Sequence, residues 1–182
     1  MIFTPLAIAG AYRVDLATHG DDRGFFARIW CEDEARAHGC TPHMVQANAS
    51  YTAAAGTVRG LHYQRAPHAE AKLVRCTAGA LYDVIVDVRP ESPTYLQHLG
   101  LELTAANRTM LYLPEGCAHG YQTLAPDTEA FYFVSAPYAP AAEAGLRYDD
   151  PALAIDWPHA VTNVSAKDRA WPLLHDATPS AP

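Results

Sequence analysis

Between residues 44 and 135 apolar and polar side chains alternate in short runs, with none of the three-to-four spacing of an amphipathic helix. Residues 44–51 alternate apolar and polar side chains, which puts Gln46, Asn48 and Ser50 on one face of an extended strand. Residues 58–64 form a β-prone run in which Gly60, His62 and Gln64 share a face. A loop at 65–70 leads to a second run opened by Lys72, so the two read as a hairpin. Further strands are predicted at 73–77, 81–88, 98–104, 110–113, 120–124 and 129–135, punctuated by Gly79, by the turn at 90–94 and by Asn107. Upstream, residues 1–16 read as one or two short strands broken at Gly10, 18–24 as a turn cluster, and 25–30 as a strand. The best short helix is 32–38, closed by Gly39 in the usual C-terminal position. From residue 138 onward the chain is Pro/Ala-rich and predicts at most short helices. Many short strands with Gly/Pro turns at close spacing define an all-β, antiparallel sandwich or barrel.

Composition narrows the class. A length of 182 residues suits one domain, taken as 1–176, with 177–182 as a flexible tail. Half of the residues are apolar and 18% are charged, as in an ordinary soluble globular protein. The formal net charge of −7 argues against nucleic acid as a partner. Cys31, Cys40, Cys76 and Cys117 are widely spaced and form no CxxC pair, which fits reduced thiols in a cytoplasm better than disulfides or a zinc site. The first residues lack a charged segment followed by a long apolar stretch, and no apolar run reaches the roughly 20 residues that span a bilayer, so neither export nor membrane insertion is expected.

Candidate chemistry centres on the hairpin. Arg59, His62 and Lys72 bring a guanidinium, a proton acceptor and a second cation to one end of it, in outline an anion-binding and proton-moving group. The same residues also fit the solvent face of an edge strand. Tyr132, within Ala130-Phe131-Tyr132-Phe133, reads by itself as a core residue, and Lys167-Asp168-Arg169 as a solvated charge run.

Several strings, in order, extend well beyond the hairpin: Asp22-Arg23-Gly24-Phe25-Phe26, Gln46-Ala47-Asn48-Ala49-Ser50, Arg59-Gly60-Leu61-His62-Tyr63-Gln64, Lys72-Leu73-Val74-Arg75 and Asp87-Val88-Arg89 with Ser92-Pro93-Thr94. Pro114-Glu115-Gly116-Cys117-Ala118-His119-Gly120, Tyr132, Asp150-Pro151 and Ile155-Asp156-Trp157-Pro158 continue the series. Over about residues 4–175 the chain resembles the dTDP-4-dehydrorhamnose 3,5-epimerase family of nucleotide-sugar epimerases. The resemblance implies a cupin-type jelly-roll β-barrel with short peripheral helices, a homodimer, and neither metal nor organic cofactor.

It also implies a reaction: inversion at C3 and/or C5 of a nucleotide-diphospho-4-keto-6-deoxy sugar. A carbonyl acidifies the neighbouring C–H bonds, so the enzyme needs a base, a stabiliser for the enolate oxygen and an acid on the opposite face. The resemblance assigns these to His62, oriented by Asp168 of the Ser-x-Lys-Asp segment, to Lys72 and to Tyr132. His119 is placed near the sugar, Arg59 and Arg23 at the diphosphate, Gln46 and Asn48 along the nucleotide pocket, and Phe26 and Tyr138 against the base. Arg23 and Phe26 are expected to serve the neighbouring subunit. Arg28, Cys117, Tyr121, Phe133 and Pro137 depart from the usual residues, most of them toward the nucleotide end, which leaves base and sugar open. Two other readings carry distinct expectations. A metal-dependent cupin oxygenase or isomerase would draw ligands from His62, His68, Glu70 and His119. A non-catalytic sugar-nucleotide-binding cupin would keep the fold without the reaction.

Overall fold

Strict alternation along the strands decides which side chains face inward, and with it both the core and the cleft. A computed structural model describes residues 1–175; the expected tail at 177–182 lies outside them. One sheet runs in the order β1 (Ile2–Pro5), β2 (Tyr12–Asp15), β10 (Met110–Leu113), β7 (Lys72–Ala78), β12 (Thr128–Val134) and β5 (Gln46–Thr52). The facing sheet runs β13 (Glu143–Gly145), β6 (Thr57–Gln64), β11 (Cys117–Thr123), β8 (Ala80–Asp87) and β9 (His98–Thr104). A two-residue strand, β14 (Asn163–Val164), lies parallel to the start of β6, whereas the other pairings are antiparallel.

On β7, Val74 and Cys76 point between the sheets; on β10, Leu111 and Leu113 do so, and on β8 Leu81 and Ile85. Together with Ile8, Leu103 and Ala130 they form the inner core. The intervening residues point outward. Leu73, Met110 and Tyr112 meet Ala35 of helix α1 (Glu32–Ala37), whose acidic first turn suits its N-terminal dipole. Leu61, Val84, Val86 and Ala118 are covered by Leu146 and Leu153 of the C-terminal segment. Burial pushes the thiols of Cys40 and Cys76 up to about 11 and that of Cys117 up to about 12, so these three are unreactive packing residues. Among the described residues no helix is long and apolar enough to cross a membrane.

The N-terminal region differs from the expectation. The turn cluster at 18–24 is itself a small hairpin, β3 (His19–Asp21) with β4 (Gly24–Phe26), and the strand expected over 25–30 ends at Phe26. Phe25 and Phe26 stay exposed because neither large sheet pairs with this hairpin. The Pro/Ala-rich C-terminal region contributes β13, β14 and a single turn of helix, α2 (Ala166–Arg169). Their two to four residues are too few to carry a hydrophobic period.

Candidate active site

The same parity that buries Val74 and Cys76 turns Lys72 inward, and that of β12 turns Tyr132 inward beside Ala130. On β11, His119 lies between the inward residues Cys117 and Tyr121. On β5, Gln46, Asn48 and Ser50 share the inner face, as expected, and Gln46 donates to Asn48 Oδ1 at 2.9 Å. The interior is thus oily at one end and polar at the other, on the same strands.

On β6 strict alternation would put Arg59 and His62 on opposite faces. Instead His62 pairs with His119 and Arg59 with Tyr121, so three steps on β6 match two on β11. This bulge resets the parity and turns both side chains into the cleft. Gly60 permits it. Its φ is +115°, and a Cβ there would lie 2.6 Å from Gly120 Cα and 2.7 Å from the His119 carbonyl oxygen.

The cleft has two lobes, of about 390 and 310 Å³, which share His62, Lys72 and Tyr132 as a common wall. The first is lined further by Arg59, His119, Tyr121, Lys167 and Asp168, and is rich in cations. The second holds Gln46, Asn48, Gln64, Glu70, Tyr138 and Glu143. Arg59 is anchored to β5, donating to Thr52 Oγ1 at 2.9 Å and the Tyr51 carbonyl at 3.0 Å.

His62 Nε2 lies 2.5 Å from Asp168 Oδ1, although the two are 106 residues apart. Asp168 Oδ2 accepts from the Gly60 N–H at 3.2 Å, and the Asp168 N–H donates to Ser165, the N-cap of α2, at 3.0 Å. Burial works to raise the Asp168 carboxyl, but the hydrogen bond and charge of His62, with the Gly60 N–H and Ser165, hold it below its usual value. It is therefore a carboxylate that fixes the imidazole. A second such pair faces the same lobe: His119 Nε2 lies 2.7 Å from Asp83 Oδ1, and Asp83 is fully buried on the inward face of β8. The Tyr132 phenol is raised by burial, then by Tyr121 and Glu70, against the opposing charge of Arg59, and so stays protonated at neutral pH.

The residues expected at the site thus converge, with two exceptions. Arg23 and Phe26 sit on the β3–β4 hairpin and line neither lobe. Arg23 is bound to Asp21 at 2.5 Å, and Phe26 is 70% exposed. Sequence reasoning missed Glu143 and Lys167, which pair at 2.5 Å, with Tyr138 donating to the same carboxylate at 3.1 Å. Lys167 adjoins Asp168 in the chain, a signal that was available; Glu143 has no marker in its Pro/Ala-rich surroundings. Asp83 sits within an apolar strand, where a lone carboxylate facing the core was the unused clue. Of the four groups that a cupin metal site would draw on, three are engaged elsewhere: His62 with Asp168, Glu70 with Lys72 and His119 with Asp83. Among the described residues no three His, Cys, Asp or Glu side chains are grouped to hold a metal ion.

A histidine–carboxylate pair, an inward ammonium and a phenol around a cation-rich cleft bring groups that can bind an anion and move a proton into one place. A family model described as dTDP-4-dehydrorhamnose 3,5-epimerase matches residues 5–176. The dTDP-4-dehydrorhamnose 3,5-epimerase of Sinorhizobium fredii is 46% identical over 175 residues, covering 96% of this chain and 90% of its own. The dTDP-4-dehydrorhamnose 3-epimerase of Streptomyces niveus is 38% identical over 178 residues, covering 97% and 86%. The crystal structure of the Bacillus anthracis 3,5-epimerase, with TDP and PPi bound, superposes with a TM-score of 0.90 at 42% identity, covering 95% of this chain and 99% of that one.

The protein is a sugar-nucleotide epimerase on a cupin-type jelly roll. It belongs to the dTDP-4-dehydrorhamnose 3,5-epimerase family. Its reaction is epimerisation at C3 and/or C5 of a nucleotide-linked 4-keto-6-deoxy sugar.

Proposed function

We propose that His62 removes the proton beside the ketone and that Tyr132 returns one to the opposite face. The His62–Asp168 contact of 2.5 Å, in a cleft shared with Lys72 and Tyr132, is the observation that carries this reading. Neutral imidazole is a competent base near pH 7, and the Asp168 carboxylate stabilises the imidazolium that forms. Lys72 faces the developing enolate oxygen, where a fixed positive charge is worth most. His119, held by Asp83, borders the sugar.

Arg59 offers fixed donors to phosphate oxygens, and Gln46, Asn48 and Tyr138 offer polar groups to the nucleotide. The substrate class is a TDP-linked sugar, by analogy with the TDP in the Bacillus anthracis protein. Residues 1–176 work as one unit, and the enzyme acts in the cytoplasm, in keeping with four free cysteines. It works as a homodimer in which Arg23 and Phe26 reach the neighbouring site.

Replacing the base tests the core of this reading. His62→Asn should abolish solvent-deuterium exchange at every sugar carbon, followed by proton NMR, while TDP binding stays near the parent value. Exchange at the parent rate would reject His62 as the base.

A further inference from the structure

Glu70 is a carboxylate in the lining of the second lobe to which no step has been assigned. It lies in the loop between β6 and β7, two residues before Lys72, and its Oε1 is 3.0 Å from the Lys72 Nζ. Both side chains are about nine-tenths buried, at 11% and 9% exposure, so this is an ion pair shielded from water rather than a surface contact. Its other oxygen is steadied by Gln64 Nε2 at 3.3 Å. Gln64 is itself pinned: its two amide hydrogens are shared among Glu70 and the carbonyls of His68 at 2.9 Å and Pro137 at 3.2 Å, and its Oε1 accepts from the Ala139 N–H at 2.6 Å. A long lysine side chain has three rotatable donors and no fixed direction of its own. The chain Gln64–Glu70–Lys72 supplies that direction, tying the ammonium to two loops and the end of β6.

We propose that Glu70 is a positioning residue: its acceptor oxygen fixes the Lys72 ammonium in the wall shared by the two lobes, where the enolate oxygen develops. This rests on the role given to Lys72 above. The same carboxylate is close enough to Tyr132 to be among the charges that raise its phenol, after burial and Tyr121. It therefore borders both groups that act on the enolate. The second lobe has carboxylates on two sides, Glu70 from the β6–β7 loop and Glu143 from β13. Glu143 is engaged by Lys167 and Tyr138, which leaves Glu70 as the carboxylate paired with Lys72.

Three variants at position 70 separate placement from packing. Glu70→Met fills the same space without an acceptor; Glu70→Gln keeps an acceptor oxygen at the same reach. Glu70→Met should lower kcat by about 10–100-fold, since misplacing a reacting group by an ångström costs on that order. KM should move less than about threefold, because the ammonium matters most once charge develops. Glu70→Gln should recover kcat to within about threefold of the parent, as an amide oxygen still accepts from Nζ. The double variant Glu70→Met/Lys72→Met leaves no buried ammonium unpaired, and its kcat should equal that of Lys72→Met alone. That comparison stands even if Glu70→Met alone does not fold. A folded Glu70→Met enzyme with parental or higher kcat would overturn the proposal, as would a Glu70→Gln enzyme no better than Glu70→Met. So would a further loss in the double variant beyond Lys72→Met. Parental kcat in Lys72→Met would instead remove the role assigned to Lys72, a different result from any failure at Glu70.

Discussion

Tyr132 illustrates how far a single residue's role depends on its neighbours. In the sequence it is one aromatic among three in an apolar strand, yet Phe131 and Phe133 pack edge to face with each other on the outer side of β12. Tyr132 alone points inward, to the wall between the lobes. If it delivers the proton, its removal should separate two events that are normally joined. In Tyr132→Phe, His62 can still form the enolate and reprotonate it on the original face. The variant should exchange deuterium into substrate of unchanged configuration, while inverted product falls by about 10²–10⁴-fold. The measured quantity is the ratio of exchange to inversion by proton NMR, and a ratio equal to the parent's would reject the assignment. His62, Lys72 and His119 were legible because they stand in long motif strings. The partners of Lys72 and His119, Glu70 and Asp83, were not, because Glu70 stands in a loop that carries no period and Asp83 is a lone acid in an apolar run.

At the scale of elements, strands of four or more residues were readable and those of two or three were not. Residues 46–52 alternate enough to show which side chains share a face, 72–78, 98–104 and 128–134 were legible as strands to within a residue or so at each end, and α1 has its closing Gly39. β3, β4, β13 and β14 have two or three residues each, and at that length pairing partners decide the conformation. The bulge on β6 was also hidden, since strict alternation separates Arg59 from His62. Its dependence on Gly60 can be measured. Gly60→Ala sets a methyl group against the backbone of His119 and Gly120 in a conformation that disfavours a side chain. The cost should be about 2–4 kcal/mol, or a fall in Tm of roughly 5–15 °C for a domain of this size. Activity should fall further than stability explains, because Gly60 also donates its N–H to Asp168. Parental Tm and kcat together would show that the bulge tolerates a side chain.

For the whole molecule, the hairpin of β3 and β4 is the part without a place. Phe26 is exposed, Phe25 is touched by Arg108 at 4.9 Å from its ring, and Arg23 pairs with its own Asp21. A dimer that uses this hairpin would complete the neighbour's cleft. The protein should run as a dimer at micromolar concentration by light scattering. Inactive His62→Asn and Arg23→Ala chains, exchanged in equal amounts, should regain roughly a quarter of parental activity, since half the dimers are mixed and each has one intact site. A fully active monomer would reject the arrangement.

The distance along the chain between His62 and Asp168 has a consequence in time. Both sheets, apart from the two residues of β14, are complete by Gly145, and His62, Lys72, His119 and Tyr132 all lie within them. The carboxylate beside His62 arrives 106 residues after it, on α2. As a growing chain leaves the ribosome, the barrel can close around an imidazole that still lacks its partner. Orientation of His62 thus waits for Asp168, and a nascent chain that has emerged only as far as Gly145 should hold the imidazole without that carboxylate.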